Sequence, residues 1–425
     1  MYTRLTRSRL LSALSHINHE KDQTIKFLAT LSTCTVFCVT VIWLRDVNCP
    51  LYDLTLPLLI KFVDPEKCHK LSIYMAKRKL FPIDTWPNPP SLGTSIGPLR
   101  LSNPLGIAAG FDKDAEAPLE ILKLGYGFIE VGTVVLNPQP GNIKPRLWRI
   151  PSHLSLVNSY GFNSKGIDVM VKNLKSARAR QSNDNLVKSS LIGVSIGRNK
   201  ESTTFVKDLS ICVSKVAAYA DYIAINVSSP NTKNLRDSQS NQALRELITT
   251  AQRILNELNP DSFCNTYRRK PLLCVKISPD LTDDQIQDIA KVALECKLDA
   301  LIVCNTTVSR PRILVEEKLP GEYTANELPG GLSGLLLRDI STKLVHKVYK
   351  YTGGRVPIIA SGGIFSGHDV LTKIEAGASA CQIFTGMIYQ GPKTANKIKK
   401  DLCQILSARG YTSISDAVGR AHREG

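Results

Sequence analysis

From residue 103 onward the chain alternates short apolar runs with segments of helical period. The runs are "PLGIAAG" (104–110), "GFIEVGT" (127–133), "LIGVSIG" (191–197), "DYIAINV" (221–227), "PLLCVKI" (271–277), "DALIVCN" (299–305), "VPIIASGG" (356–363) and "ACQIFTG" (380–386). Each is continuously apolar rather than alternating, the pattern of parallel strands covered on both faces. The spacers read as helices. In "TDDQIQDIAKVALECKL" (282–298), Thr282 takes the capping position and Ile286, Ile289 and Val292 share one face. Eight such units in about 300 residues predict an α/β fold, a (β/α)8 TIM barrel over 101–425, rather than an open doubly wound sheet. A barrel places its chemistry at the C-terminal ends of the strands.

Upstream the pattern changes. "FLATLSTCTVFCVTVIWL" (27–44) is 18 residues without a charge, bounded by Lys26 and Arg45. At helical rise it covers about 27 Å, close to the hydrocarbon thickness of a bilayer, and predicts a single transmembrane helix over 25–45. Basic residues outnumber acidic ones before the span, so the N-terminus should stay on the matrix or cytosolic side; at a mitochondrial inner membrane the main domain would then face the intermembrane space. Residues 1–24 hold Arg4, Arg7 and Arg9 and no acid before Glu20, the composition of a mitochondrial targeting segment; a merely basic tail is the other reading. Residues 49–82 predict a helical hairpin broken at "DPE", where Asp64 can cap, Pro65 suits the first helical position and Glu66 complements the helix dipole. It could lie on the bilayer surface as a cap or pack on the main domain. Residues 83–100, with "PNPP", read as a linker.

Composition narrows the partners. The net charge of +17 invites nucleic acid or anionic lipid, yet the basic residues are scattered and aromatics make up only 6%, so no nucleic-acid surface is expected. The 11 cysteines include no C-x-x-C pair, and Cys274, Cys304 and Cys381 fall in strand-like runs, which points away from disulfides and zinc.

The residues just past the strands carry the chemistry. They are Lys113, Thr133, the "NSYGFNSKG" loop (158–166), Ser195, "NVSSPNT" (226–232), Lys276, Asn305 with Thr306, "SGG" (361–363) and Thr385. Amides and hydroxyls dominate, with two lysines and no His/Asp/Glu cluster; such a lining suits a flat, polar anion and predicts no metal. "ASGGI" and "FTG", after strands seven and eight, supply Gly-rich turns where barrels often hold a phosphate. Lys276, in an apolar strand, needs either a charge partner such as a reduced flavin or a route to the rim. Lys113 could simply pair with Asp112. Ser229 could act as a general base, or could satisfy loop backbone groups with Ser228.

Eight collinear motifs then carry a resemblance: "NPLGIAAGFDK", "NSYGFNSKG", "GRNKES", "NVSSPNTKNLR", "VKISPDLT", "NTTVSRP", "GGLSGLLLRD" and "VPIIASGGIFSG". From about residue 50 to the C-terminus the chain resembles the class 2 dihydroorotate dehydrogenases, membrane-associated, quinone-dependent enzymes of pyrimidine synthesis. The resemblance implies a monomer at the mitochondrial inner membrane that binds FMN, oxidises dihydroorotate to orotate and reduces ubiquinone. By position the base is Ser229, supported by Phe162 and Thr232. No cysteine lies in 226–232, where the soluble class 1 enzymes use one. Substrate positions are Lys113, Asn158, Tyr160, Gly161, Phe162, Asn163, Asn226, Asn231, Asn305 and Thr306. For the flavin they are Ala109, Gly110, Lys113, Thr133, Ser195, Asn226, Lys276 and Thr306, then Ser333, Gly334, Gly362, Gly363, Phe384 and Thr385. The hairpin implies a quinone tunnel with Ile60, His69, Arg149 and Phe384. Three departures stand out: Ser195 where the family usually has Asn, Phe384 in place of a tyrosine, and Ile60 in place of a polar residue. Two rivals remain: a flavin barrel for another enone-like substrate, including RNA bases, and an inactive tethered barrel. A membrane span opposes the first; Ser229, Lys276 and the asparagines oppose the second.

Overall fold

The eight apolar runs form eight parallel strands: β1 (Leu105–Ile107), β2 (Phe128–Val134), β3 (Leu191–Ile196), β4 (Tyr222–Asn226), β5 (Leu272–Ile277), β6 (Ala300–Val303), β7 (Ile358–Ser361) and β8 (Ala380–Ile383). Each pairs with the next in chain order, and β8 returns to β1 through Cys381–Leu105, Gln382–Gly106 and Ile383–Ile107, so the sheet closes. The computed structural model describes residues 43–314 and 324–423, with Lys26, Thr30, Ser32 and Glu317. The expected targeting segment 1–24 lies outside them, as does nearly all of the expected span 25–45. Among the described residues no helix is long and apolar enough to cross a membrane.

Inward and outward residues of the strands build two cores. Outward residues such as Ile129, Val194 and Ile223 meet the surrounding helices. The helix after β5 starts as its sequence predicts: Thr282 accepts from the Gln285 N–H while the Gln285 side chain returns to the Thr282 N–H, a full capping box. Inward residues fill the barrel floor, with Phe128, Leu191, Tyr222, Leu272, Ile302 and Ile359 in one cluster. Gly106 and Gly193 make room for the two rings: a Cβ at Gly106 would lie 2.4 Å from Phe128, and one at Gly193 would lie 2.0 Å from Tyr222. The stretch expected as a linker does more than connect. Thr94–Ile96 and Leu99–Leu101 pair antiparallel, and Ile96, Leu99 and Leu101 join the inward cluster, closing the barrel's N-terminal end.

At the other end, the strands Leu147–Ile150, Ser155–Asn158 and Gly331–Gly334 form an antiparallel sheet beside the mouth. The helical hairpin reaches this roof. Its first helix, α1 (Leu51–Phe62), buries no residue and leaves Leu54, Leu58 and Phe62 exposed. Its second, α2 (Pro65–Lys77), starts as predicted, with Asp64 accepting from the Lys67 N–H at 2.8 Å and Pro65 in the first turn. Glu66 ties α2 to the roof through a two-point bond with Arg146, at 3.1 Å to Nε and 2.9 Å to Nη2.

Candidate active site

Of the catalytic, substrate and flavin positions that the resemblance implies, all but Asn163, Ser195 and Thr232 line one cavity of about 140 Å³ at the C-terminal mouth. Its floor is a chain of side chains that hold one another. Asn226, at the end of β4, donates to Thr133 Oγ1 at 3.0 Å, and Thr133 in turn meets Ser195 Oγ at 2.9 Å. Asn226 Oδ1 accepts from Ser228 Oγ at 3.1 Å and from Asn305 Nδ2 at 3.3 Å, while Asn305 Oδ1 accepts from the Thr306 N–H at 2.8 Å. These bonds fix which end of each amide faces the cavity. Across the mouth, Asn231 Nδ2 donates to Asn158 O at 3.1 Å and Oδ1 at 3.2 Å.

Ser229 is buried in this wall, and its Oγ accepts from the Asn231 N–H at 3.3 Å. A donor aimed at that oxygen favours its deprotonated form. Phe162 lines the same cavity in a left-handed conformation (φ 55°), with Gln139 Nε2 donating to its carbonyl at 3.0 Å.

The two lysines resolve differently from their simplest readings. Lys276 does not reach the rim; it is 5% exposed, points into the barrel and faces Glu130 Oε1 at 3.7 Å. Glu130 also accepts from Gln382 Nε2 at 2.7 Å and from the Tyr222 hydroxyl at 3.3 Å. A buried ammonium costs several kcal/mol unless it is paired, and this carboxylate is the pair. Lys113 forms no ion pair with Asp112, whose carboxylate instead accepts from the Glu116 and Ala117 N–H groups at 2.7 and 2.9 Å. The Lys113 ammonium lies over the Tyr160 ring, 4.2 Å from its centre. Burial, then the nearby Arg146 charge, pulls its pKa down to about 8.

After β7, the N–H groups of Gly362, Gly363 and Ile364 donate to no backbone carbonyl among the described residues. Both glycines have positive φ, 110° and 70°, and a Cβ on Gly363 would lie 2.2 Å from Arg338 Cα. Successive amides freed in this way make an anion-binding nest. Ser333 and Thr385, whose hydroxyls are 2.9 Å apart, stand beside it in the lining. The donors suit a phosphate.

A second cavity, about 330 Å³, lies under the hairpin. Its lining is mostly apolar, including Leu56, Ile60, Leu71, Met75, Phe81 and Ile388, and Leu147, Leu156 and Phe384 line both cavities. Its polar groups turn inward to the protein. His69 Nε2 lies 2.6 Å from the Phe111 carbonyl, so that nitrogen carries the proton, and burial with the Lys113 charge pulls the ring's pKa down to about 4. Arg149 Nη1 donates to the carbonyls of Leu59, Ile60 and Val63 at the end of α1.

Three expected positions fall outside the first cavity. Ser195 is fully buried behind Thr133. Asn163 keeps a buried Oδ1 with no partner among the described residues. Thr232 is buried, and its carbonyl accepts from the Leu235 N–H at 3.3 Å as the loop turns away from the mouth. Conversely, Glu130, Gln382 and Asn142 were not foreseen. Asn142 Nδ2 bonds the carbonyls of Ser159 and Asn231 at 2.9 and 3.3 Å, clasping the two mouth loops. For Glu130 the signal was present: a carboxylate inside the run "GFIEVGT".

Barrel, amide-lined mouth and glycine nest define a (β/α)8 protein whose C-terminal mouth presents fixed polar groups and a turn suited to an anion. Comparison with known proteins narrows that class. Residues 91–406 match the family model described as dihydroorotate dehydrogenase, and the chain belongs to that family. A dihydroorotate dehydrogenase (quinone) of Rhodospirillum rubrum is 40% identical over 373 residues, covering 88% of this chain and 95% of that protein. The mitochondrial dihydroorotate dehydrogenase (quinone) of Mus musculus is 39% identical over 369 residues, covering 87% and 89%. Among solved structures, DHODH from Eimeria tenella in complex with ferulenol aligns with a TM-score of 0.81 at 44% identity, covering 85% of this chain and 97% of that one.

Proposed function

We propose that the chain oxidises dihydroorotate to orotate in pyrimidine synthesis and delivers the electrons to ubiquinone through a bound FMN. The observation that carries this reading is the shared wall: a locked amide mouth around Ser229 abuts an apolar cavity, with Phe384, Leu147 and Leu156 between them. The residues fit the cofactor. The Gly362–Ile364 nest, Ser333, Gly334 and Thr385 would hold its phosphate, and Lys276, Lys113, Thr133 and Asn226 would line its ring system. When bound, FMN supplies the hydride acceptor and the relay to the quinone.

The chain's own residues do the rest. Asn158, Asn226, Asn231 and Asn305 present fixed donors and acceptors to the flat substrate, and the Lys113 ammonium offsets its carboxylate. Ser229 Oγ takes the C5 proton as its own hydroxyl proton passes to water, with the Asn231 N–H favouring the alkoxide character that makes this oxygen a base. Phe162 lines the mouth beside it and limits water. Ubiquinone occupies the apolar cavity. We place the protein at the mitochondrial inner membrane as a monomer, anchored by 25–45, with the exposed Leu54, Leu58 and Phe62 of α1 against the lipid. Mitochondrial relatives support that location. The test is the flavin itself: the purified protein should be yellow and release one FMN per chain on denaturation, and a colourless preparation that takes up no FMN rejects the assignment.

A further inference from the structure

Behind the nest lies a lysine that the reaction does not use. Lys373, on the helix Gly367–Glu375, is 0% exposed. Its ammonium donates to Arg338 O at 3.2 Å, Ser341 Oγ at 3.0 Å and Thr342 Oγ1 at 2.9 Å. All three acceptors are neutral, and among the described residues no carboxylate lies within 4.0 Å of it. The acids that act on it from further off are committed elsewhere. Asp369 accepts from the Phe365 N–H and Ser366 Oγ and faces Arg338, and Asp339 pairs with Arg338. Cys304 and Cys381 also act on it, but burial pushes both thiols up to about 12, so they remain neutral. An ammonium held only by neutral dipoles is costly to bury.

Its contacts are the same groups that shape the nest. Arg338, whose carbonyl Lys373 bonds, has its Cα 2.2 Å from where a Gly363 Cβ would lie. Ser341, its second acceptor, donates to Ser361 O at 2.6 Å, at the end of β7, and lies 3.3 Å from where a Gly362 Cβ would lie. We infer that Lys373 is the buried counter-charge of the phosphate site: it touches no phosphate oxygen, but its ammonium behind the Gly362–Ile364 amides adds the positive charge that strengthens the nest's hold on the dianion. In a low-dielectric surrounding such a charge acts through intervening groups with little screening. The oxidised flavin ring carries no charge for it to balance.

This rests on the FMN reading above, and the test separates the two. Apoprotein of the wild type, Lys373→Gln and Lys373→Met is titrated with FMN and with riboflavin, which lacks the phosphate. Lys373→Gln keeps a donor for Ser341 and Thr342 without the charge, so it carries the test if the Met variant does not fold. The dissociation constant for FMN should rise at least about 10-fold, while that for riboflavin stays within about twofold. The Lys373→Met apoprotein should melt no lower than wild type, and its FMN-loaded form should melt lower. Equal weakening of both flavins would mean a purely structural lysine and overturns the inference, as does unchanged FMN binding. Wild-type protein that binds riboflavin as tightly as FMN removes the phosphate site but leaves the flavin reading standing; wild-type protein that binds neither removes both.

Discussion

The two cavities share three lining residues, Leu147, Leu156 and Phe384, but use their polar groups in opposite ways. At the mouth, Asn226, Thr133, Asn305 and Ser228 hold each other's polar atoms in place, so a wrong ligand leaves buried donors and acceptors unpaired. Under the hairpin the polar groups are spent on the protein, His69 on Phe111 and Arg149 on the end of α1, and what remains is apolar shape. A hydrogen-bonding site can reject an analogue by about 10⁴-fold or more, whereas a missing methylene in an apolar pocket is worth only about 1–3 kcal/mol. Substrate choice should therefore be steep and quinone choice shallow.

Ser229→Ala should break the comparison hardest. Flavin reduction by dihydroorotate should fall about 10²- to 10⁴-fold, the usual worth of a general base. Reoxidation of the dithionite-reduced variant by quinone should stay at the wild-type rate. Stopped-flow of each half-reaction decides it, and an equal fall in both would place Ser229 outside the chemistry. Asn305→Ala comes next. Stranding Asn226 and Ser228 near the substrate should weaken dihydroorotate binding by about 1–3 kcal/mol while leaving quinone KM alone. A shift in quinone KM would mean that the cavities do not divide the work.

A third effect depends on pH. The Lys113 ammonium is charged below about 8 and neutral above it. Apparent affinity for the anionic substrate should therefore fall as pH rises through that region, with the bound carboxylate moving the break upward. Lys113→Met should bind weakly and flatten the profile; an unflattened profile would assign the break to another group. The smallest effect belongs to the shared wall. Phe384→Tyr should change quinone KM less than about 10-fold and leave flavin reduction by dihydroorotate untouched.

Much of this was legible in the sequence because burial on both faces leaves a plain mark. The strands read as unbroken apolar runs, and the amides that follow β4 and β6 stand out against them. The same habit hid Glu130, since a run judged apolar as a whole absorbs its one carboxylate, although the argument that singled out Lys276 in "VKI" applies equally to it. The floor hairpin was lost among prolines and glycines, because two three-residue strands carry too little period to register. Pairings over long separation left no local trace. Glu66 and Arg146 are 80 positions apart, and Asn142 joins two loops that only the folded barrel brings together. Thr232 shows how a motif spreads over more than one surface. It shares a motif with Ser229 and Asn231, but the backbone turn within that motif puts it outside the cavity.

The division of labour between the cavities is tested most directly by titrating the FMN-loaded protein anaerobically with dihydroorotate, then adding a short-chain ubiquinone while following the flavin absorbance. One equivalent of dihydroorotate per flavin should bleach it and quinone should restore it. A flavin that dihydroorotate leaves oxidised, or that recovers with a soluble artificial acceptor but not with quinone, would contradict the account.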